Sequence, residues 1–199
     1  MSAHIDLDHF RVRPGRDIDL PAIPTRGDEW ADGDPAVAKE RGKAANDELS
    51  ERIAELQEKL HATKAAKVLV VLQGMDTSGK DSTTRRVFGA GSPLGIRVAA
   101  FGRPTDEELA HDYLWRIQAR TPRDGEIVIF NRSHYEDVLV VRVEELVPEE
   151  RWTKRYDHIV DFERRLVDEG TTILKFFLHI SKDEQRERLQ ERIDEPHKN

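Results

Sequence analysis

One stretch, residues 67–82, constrains the fold of this chain more than any other. It begins with a run of β-branched residues and leucine, Lys67-Val-Leu-Val-Val-Leu-Gln73, which is typical of a buried parallel strand. The next string, Gly74-Met-Asp-Thr-Ser-Gly-Lys80, fits the glycine-rich phosphate loop Gly-x4-Gly-Lys, and residues 81–88 indicate the start of a helix. Strand, loop and helix in this order are the context in which such a loop binds phosphate. A strand that turns into a helix through an ordinary flexible loop is the alternative.

The predicted loop offers several groups to a phosphate. Its glycines allow backbone N–H groups to curl around the anion, and the helix N-terminus adds a partial positive charge. Lys80 brings a full positive charge to the phosphate that is transferred. We expect phosphate binding by the loop and the first helical turn, that is by Gly74, Met75, Asp76, Thr77, Ser78, Gly79, Lys80, Asp81 and Ser82.

Two acidic residues depart from the ordinary form of this loop. Asp81 stands where Ser or Thr usually follows the lysine, so the hydroxyl that binds magnesium is displaced or replaced. Asp76 lies inside the loop, where its carboxylate would be repelled by a phosphate. A carboxylate at that position therefore makes sense only with a metal ion or a proton to accept.

Composition excludes several classes of protein. The 199 residues include no cysteine, so disulfide bonds, thiolate catalysis and zinc–cysteine sites are absent. The formal net charge of −7 argues against broad electrostatic binding of nucleic acid. No apolar run is long enough to span a bilayer, and the N-terminus has no basic and then apolar signal segment. We therefore expect a cytoplasmic enzyme that binds neither nucleic acid nor a membrane.

The composition of the chain changes near residue 35. Residues 1–34 are rich in proline and glycine with little periodicity, which indicates an extended arm. Residues 35–65 are rich in Ala, Glu and Lys and predict one long amphipathic helix, docked on the core or on a second subunit. This helix opens a domain that we expect to cover residues 35–199. Its apolar stripe consists of Leu49, Ile53, Leu56 and Leu60.

Strands and helices alternate in the remainder of the chain. Further strands are predicted at residues 96–101, 126–130 and 172–180. The order implies a mostly parallel sheet of four strands, with the phosphate-loop strand central. One helix opens at a Thr105–Glu108 capping box, a second runs from Pro148 to Gly170, and a third starts at Ser181. The first helix places Leu109, Tyr113 and Ile117 on one face, and the second turns Trp152, Tyr156, Ile159, Phe162 and Leu166 inward.

Five blocks of the sequence resemble the type 2 polyphosphate kinases, also called polyphosphate:nucleotide phosphotransferases. Two of them carry most of the specificity: Gly-Met-Asp-Thr-Ser-Gly-Lys-Asp in the loop, and Asn-Arg-Ser-His-Tyr-Glu-Asp after the third predicted strand. The resemblance covers nearly the whole chain, in blocks at residues 10–15, 74–81, 104–116, 130–138 and 191–198.

The resemblance implies a fold and an activity. The fold is a P-loop kinase-like three-layer sandwich, with helices on both faces of a mostly parallel sheet. An arginine-rich lid is also implied, and its first part would be formed by about residues 186–199. The activity is reversible transfer of the terminal phosphoryl group of inorganic polyphosphate to a nucleoside mono- or diphosphate, AMP and ADP or GMP and GDP. Mg²⁺, with Mn²⁺ as a substitute, is the implied cofactor. The expected partners are polyphosphate, nucleotides and further copies of the chain in a dimer or tetramer.

The resemblance also implies roles for individual residues. The catalytic set is Asp76, Lys80, Arg132 and Glu136, and the metal ligands are Asp76 and Asp137. Asn131 departs from the pattern, because many members carry aspartate there, so one charge is missing that Glu136 or Asp137 could supply. The implied acceptor-binding residues are Arg103, Thr105, Arg116, Asn131, Arg132 and Glu136, and the lid cations that clamp phosphate are Arg188, Arg192 and Lys198.

Alternatives remain for these residues and for the function. Arg132 could be a structural ion-pair partner, and the arginines of the last helix could form a solvated face. His111 and His134 are expected to make hydrogen bonds rather than to bind metal. An ATP-dependent P-loop kinase acting on a nucleoside, nucleotide or small metabolite is the second functional reading, and a non-catalytic nucleotide-dependent switch is the third. The sequence contains no Asn/Thr-Lys-x-Asp string of the kind that recognises guanine, which argues against a GTPase switch.

The last expectation concerns the C-terminal segment. Kinases of this type continue past the segment that ends at Asn199 with the rest of a lid, a helix and a strand, so we expect the 199 residues to be part of a longer polypeptide. A sheet without that edge strand would leave the fourth strand poorly covered at Ile173, Leu174, Phe176 and Phe177.

Overall fold

The computed structural model describes residue 8, residues 10–26 and residues 34–195 of the chain. After a short 3₁₀ helix at Leu20–Ala22, strands and helices alternate along the described residues. The helices are α1 (Pro35–Thr63), α2 (Lys80–Phe88), α3 (Asp106–Ala110), α4 (Trp115–Gln118), α5 (Glu136–Val143), α6 (Glu149–Trp152), α7 (Arg155–Asp168) and α8 (Lys182–Asp194). The strands are β1 (Lys67–Gly74), β2 (Ile96–Ala100), β3 (Ile127–Asn131) and β4 (Thr171–Leu178).

The four strands form one parallel sheet in the order β2-β3-β1-β4. In this register Val70 lies opposite Ile129 on one side and opposite Leu174 on the other. The predicted parallel sheet with the phosphate-loop strand in its interior is therefore confirmed. Because parallel strands all end at the same edge, the residues that follow β1 and β3 are neighbours, and ligands collect at such an edge in open α/β sheets.

Successive residues of β1 and β3 supply two hydrophobic layers, one on each face of the sheet. Leu69 and Phe130 pack on one face with Ile117 of α4 and Phe162 of α7. On the other face the strands meet Leu60 of α1 and Phe88 of α2. This alternation is the pleat of a strand that is buried on both sides, and it confirms the three-layer prediction.

Helix α1 is long, as predicted, but its apolar stripe is only partly buried. Leu60 packs against the sheet, whereas Leu49 and Leu56 are about half exposed. Polar contacts instead fix much of the helix: the Ser50 hydroxyl donates to the Val87 carbonyl oxygen, and Gln57 Oε1 accepts from the Ser92 amide. The helix thus docks on the end of α2 and on the turn that follows it.

The helix predicted from the Thr105 capping box is broken. Both bonds of the box are present, since Thr105 Oγ1 accepts from the Glu108 amide and the Glu108 carboxylate accepts from the Thr105 amide. Nevertheless α3 ends at Ala110, and the Asp112 carboxylate accepts from the Leu114 amide just before α4. A side chain that bonds the backbone two residues ahead competes with helix continuation, so the single-helix prediction is wrong.

The prediction of one helix from Pro148 to Gly170 is also wrong. The segment forms α6 and then α7, and Tyr156 is about half exposed rather than inward. Ile159 and Phe162 are buried as predicted. Sequence reasoning did not predict helix α5, which begins directly after the polar segment that follows β3. This helix determines where Glu136 and Asp137 point.

Strand β4 lies at the edge of the sheet, and three of the four side chains expected to be poorly covered are so, whereas Ile173 packs against the core. Leu174, Phe176 and Phe177 are each about half exposed. Residues 10–26 are exposed throughout, and the arm at residues 1–34, part of which lies outside the described residues, stays a prediction together with the domain boundary at residue 35. Within the described ranges, no helix has the length and apolar character needed to cross a membrane.

Candidate active site

The phosphate loop joins β1 to α2 through a tightly bent backbone. Thr77 and Gly79 both have positive φ, +64° and +95°, and Gly79 is the residue that precedes α2. A Cβ at Gly74 would lie 2.6 Å from the Ser78 Oγ and 2.8 Å from the Leu178 carbonyl oxygen. Glycine is therefore required at residue 74 by the close approach of two chain segments, and at residue 79 by the left-handed backbone.

Lys80 lies across this loop. Its side chain is 9% exposed, and its Nζ donates to the carbonyl oxygens of Gly74 (2.8 Å) and Met75 (3.0 Å). Burial, and after it the charge of Arg132, lower the pKa of the Lys80 amine, while nearby carboxylates oppose the shift. The first helical residue thus places its cation under the loop at the end of β1.

The segment after β3 brings a second cation to the same place. Arg132 has φ of +62°, and its Nη2 donates to the Asp76 Oδ1 at 3.2 Å. The charges of Asp76, Arg132 and Glu136 all act on the Lys80 amine. The structure therefore brings together the four residues predicted to be catalytic, although their roles stay predictions.

The two residues that depart from the usual pattern contact each other. Asn131, the last residue of β3, donates from Nδ2 to the Asp81 Oδ1 in the first turn of α2. The usual arrangement pairs a hydroxyl on the helix with a carboxylate on the strand. Here the carboxylate comes from the helix and the hydrogen-bond donor from the strand, so the contact carries one negative charge, on Asp81.

Asp137 and Arg116 point into the protein rather than toward the loop. They are 6% and 7% exposed, and their nearest charged atoms are 3.5 Å apart. Arg116 also donates to the Gly102 carbonyl oxygen, and the Asp137 carbonyl oxygen accepts from Arg155. Burial raises the pKa of Asp137 against the opposing charges of both arginines. The metal role of Asp137 stays a prediction that this placement does not favour, and the acceptor role of Arg116 stays a prediction.

Two further predicted acceptor residues lie beside β2. Arg103 is exposed, and with Glu108, Arg116 and Arg120 it lines a surface groove next to that strand. The Thr105 hydroxyl accepts the capping bond of α3, and Thr105 is not among the residues that line this groove. Acceptor binding by these residues is not tested by the geometry and remains a prediction.

Helix α8 reaches the phosphate loop from outside. Arg188 Nη1 donates to the Thr77 carbonyl oxygen at 2.8 Å, and Gln185 Nε2 donates to the Asp76 carbonyl oxygen at 3.0 Å. Sequence reasoning identified Arg188 but missed Gln185, which only its spacing of three residues from Arg188 could have suggested. Arg192 is exposed, and Lys198 lies outside the described residues.

Comparisons of the sequence and of the fold with known proteins identify the family of this chain. The family model of polyphosphate kinase 2 (PPK2) matches residues 36–199. The chain belongs to the polyphosphate kinase 2 family. It is 63% identical to the AMP/ADP-polyphosphate phosphotransferase of Meiothermus ruber, over 96% of this chain and 70% of that protein. It is 42% identical to the ADP-polyphosphate phosphotransferase of Rhodopseudomonas palustris, over 98% of this chain and 70% of that protein.

A solved polyphosphate kinase 2 shares the fold. The crystal structure of polyphosphate kinase 2 from Arthrobacter aurescens TC1 superposes with a TM-score of 0.85 at 42% identity, over 95% of this chain and 66% of that one. The chain thus spans about two thirds of the length of that structure and 70% of both curated relatives. The α/β architecture expected from the sequence is the architecture of this family.

The donor set at the loops of this polyphosphate kinase 2 chain suits a hard divalent cation. Asp76 and Asp81 present exposed carboxylates on the loop and on the first helical turn. Among the described residues no group of three or more His, Cys, Asp or Glu could hold a metal by itself. Mg²⁺ is commonly held by one or two carboxylates together with substrate phosphates, so the residues present fit that ion.

Proposed function

We propose that this chain transfers the terminal phosphoryl group of inorganic polyphosphate, reversibly, to a nucleoside mono- or diphosphate. The proposal rests on one observation above all: Lys80 at the end of β1 and Arg132 at the end of β3 meet around Asp76. The family supplies the substrate class, because the two relatives named above are AMP/ADP- and ADP-polyphosphate phosphotransferases. AMP and ADP are the acceptors we propose first, with GMP and GDP as further acceptors.

The chemistry needs positioning and charge neutralisation more than a base. An oxygen of the acceptor phosphate attacks the terminal phosphorus, and the bond to the bridging oxygen of the polyphosphate breaks as the shortened chain leaves with the electron pair. The attacking oxygen is already anionic near neutral pH, so no proton has to be removed. Since the bonds formed and broken are of the same kind, the reaction is nearly balanced and runs in both directions.

Lys80 and Arg132 stabilise the transition state in this proposal. Negative charge is spread over the three outer oxygens of the moving phosphoryl group, and fixed cations lower its energy without reorganisation. Lys80 is held by carbonyl oxygens and Arg132 by the Asp76 carboxylate, so both charges are in place before reaction. Asp76 orients the arginine on one side and faces the phosphates on the other.

Glu136 and the groove beside β2 would serve the acceptor. Glu136 begins α5 within electrostatic reach of Lys80, and Arg103 lines the groove. Asp76 and Asp81 would hold Mg²⁺, or Mn²⁺ in its place, together with the substrate phosphates. The bound cation supplies neutralisation of phosphate charge. Arg188, Arg192 and Lys198 are the cations we propose for the far side of the polyphosphate.

We also propose that the chain acts in the cytoplasm as a homo-oligomer, either a dimer or a tetramer. Leu49 and Leu56 on α1 are each about half exposed. Single exposed apolar side chains are ordinary on a protein surface, but these two lie seven residues apart and therefore share one helix face, which supports an interface between copies of the chain. Sedimentation equilibrium of the chain measures the assembly directly, and a monomer at micromolar concentration contradicts this part.

The decisive assay contains AMP, Mg²⁺ and polyphosphate but no nucleoside triphosphate. We expect ADP and then ATP to appear while polyphosphate shortens, and we expect a chelator of divalent cations to stop the reaction. Lys80→Ala is the matched inactive variant, with an expected loss of about 10²–10³ in rate for one pre-placed charge. Product that forms only when ATP replaces polyphosphate would support an ATP-dependent kinase instead. Tight nucleotide binding without turnover would support a switch.

A further inference from the structure

A partly buried carboxylate behind the site accepts from three hydrogen-bond donors. Glu163 lies on α7, and its Oε1 accepts from His134 Nε2 at 3.1 Å and from the Tyr135 hydroxyl at 2.7 Å. Its Oε2 accepts from Lys175 Nζ of β4 at 2.6 Å. Lys175 also donates to the Tyr135 oxygen at 3.0 Å. Both oxygens of one carboxylate thus join a helix, a strand and the segment that follows β3.

The charge of this carboxylate is fixed by its neighbours. The Glu163 side chain is 12% exposed and His134 is fully buried. Burial alone would raise the pKa of Glu163, but the bonds from His134, Lys175 and Tyr135 lower it to about 2. Glu163 is therefore an anion throughout the physiological range, and an anion is the only form that accepts all three donors.

These contacts surround the segment that carries the second cation. His134 and Tyr135 lie between Arg132 and Glu136 in sequence, both of which act on the Lys80 charge. The same segment is held from β1, where Gln73 Nε2 donates to the Ser133 Oγ at 3.2 Å. A non-glycine residue keeps a positive φ such as that of Arg132 only when its surroundings impose it.

We propose that Glu163 is a positioning residue for the segment 131–137. It fixes His134 and Tyr135 and thereby holds Arg132 and Glu136 against the phosphate loop. Glu163 touches no reacting group in this scheme and acts through its two neighbours. The kinetic part rests on the proposed phosphoryl transfer, whereas the structural part, order in the segment, does not depend on the reaction.

Glu163→Gln is the test, and Glu126→Gln is its matched control. Glu126 lies just before β3, at the opposite end of the strand from the site, with a side chain 14% exposed. It accepts bonds from Arg97 and from Arg123, and like Glu163 it has a lowered pKa. Both variants exchange a partly buried, multiply bonded carboxylate for an amide, but only one of them faces the segment 131–137.

The first readout is amide hydrogen exchange, which needs no substrate. At a temperature where both variants are folded, Glu163→Gln should speed exchange in residues 132–137 by about tenfold or more relative to Glu126→Gln. Equal protection of the segment in the two variants overturns the proposal. If Glu163→Gln does not fold, Tyr135→Phe, which removes one of the three donors, takes its place, and exchange in the segment is compared with that in Glu126→Gln in the same way. This readout stands even if the chain transfers no phosphate from polyphosphate.

The second readout is kinetic and uses the phosphoryl-transfer reaction. Glu163→Gln should lower kcat by about tenfold or more with little change in the KM for polyphosphate, since misplacement of about 1 Å at a site can cost 10²-fold. Glu126→Gln should leave kcat within about twofold per folded molecule. In an Arg132→Ala background Glu163→Gln should cost clearly less than in the parent, because part of its effect acts through that arginine. Equal kcat losses in both glutamine variants, or additive losses with Arg132→Ala, would make Glu163 merely structural.

Discussion

The contact between Asp81 and Asn131 allows a reciprocal exchange of residues. Asn131→Asp alone would place two carboxylates in contact, where the amide now donates to the Asp81 oxygen. Asp81→Ser alone would remove the carboxylate and leave Asn131 without its present acceptor. Asp81→Ser with Asn131→Asp returns the pair to the common arrangement, a hydroxyl on the helix and a carboxylate on the strand. We expect each single variant to be impaired and the double variant to recover.

The magnitude follows from the geometry. Two unit charges 4 Å apart repel by about 1 kcal/mol in bulk water and about 4 kcal/mol near a protein surface. Because Asp81 is exposed, we expect a value toward the lower end, and the lost charged hydrogen bond adds about 1.5–3 kcal/mol. Each single variant should therefore lose about 10- to 100-fold in kcat/KM. A coupling energy of about 1–3 kcal/mol should restore most of this in the double variant.

The assay is ADP and ATP formation from AMP and polyphosphate at several Mg²⁺ concentrations, with thermal unfolding of all four proteins as the control. We expect the singles to need more Mg²⁺ for half-maximal rate and the double variant to approach the parent. If the losses of the two singles simply add in the double variant, within about 0.5 kcal/mol, then the two residues act separately and the reasoning is refuted.

Three further predictions use other residues of the site. Asp76→Asn should lower activity with little change in melting temperature. Asp137 is buried beside Arg116, so Asp137→Asn should lower the melting temperature but leave the activity per folded molecule unchanged. The reverse pattern would place the metal at Asp137. Glu136→Asn should change the ratio of AMP to ADP use more than it changes polyphosphate consumption, and parallel loss with both acceptors would make Glu136 part of the shared chemistry. The Glu163 carboxylate has a pKa of about 2 in the fold, so its contribution, about 3 kcal/mol at most, is present above pH 4.5 and is lost as pH falls toward 2. Acid titration of unfolding should therefore be shallower for Glu163→Gln than for the parent protein, and identical slopes would contradict the shift.

Local patterns explain the parts of the fold that could be predicted. The continuous apolar run of β1 and the glycine spacing after it specify a buried strand and a bent loop within 16 residues, residues 67–82. The break between α3 and α4 was missed because the apolar spacing of Leu109, Tyr113 and Ile117 continues across it, although the Asp112 side chain ends the helical run. The spacing of apolar residues shows which face of a helical segment is apolar, but it does not show whether the helix is continuous between those residues.

Contacts between distant residues explain most of what the sequence could not reveal about the site. Asp81 and Asn131 are 50 positions apart and meet only because β3 lies beside β1. Glu163 lies four residues after the buried Ile159, on the inward face of α7, but nothing in the local sequence names its partner, and only the packing of α7 beside the segment after β3 brings it to His134. Asp137 was assigned to metal by its neighbourhood in sequence, but successive helical residues point about 100° apart, and α5 directs Asp137 inward.

The bonds from Gln185 and Arg188 make α8 and the phosphate loop a thermodynamically linked pair. No residue of α8 is buried, so the helix owes its place largely to such contacts. The neutral bond from Gln185 is worth about 1 kcal/mol and the bond from the charged Arg188 about 1.5–3 kcal/mol, so together they can transmit about 2.5–4 kcal/mol, or about 10²- to 10³-fold, between loop and helix. Coupling is reciprocal, so an anion that orders the loop strengthens the docking of α8 by the factor by which a docked α8 tightens the anion. The carbonyl oxygens of Asp76 and Thr77 thus couple the loop to helix residues that lie 109 and 111 positions further along the chain.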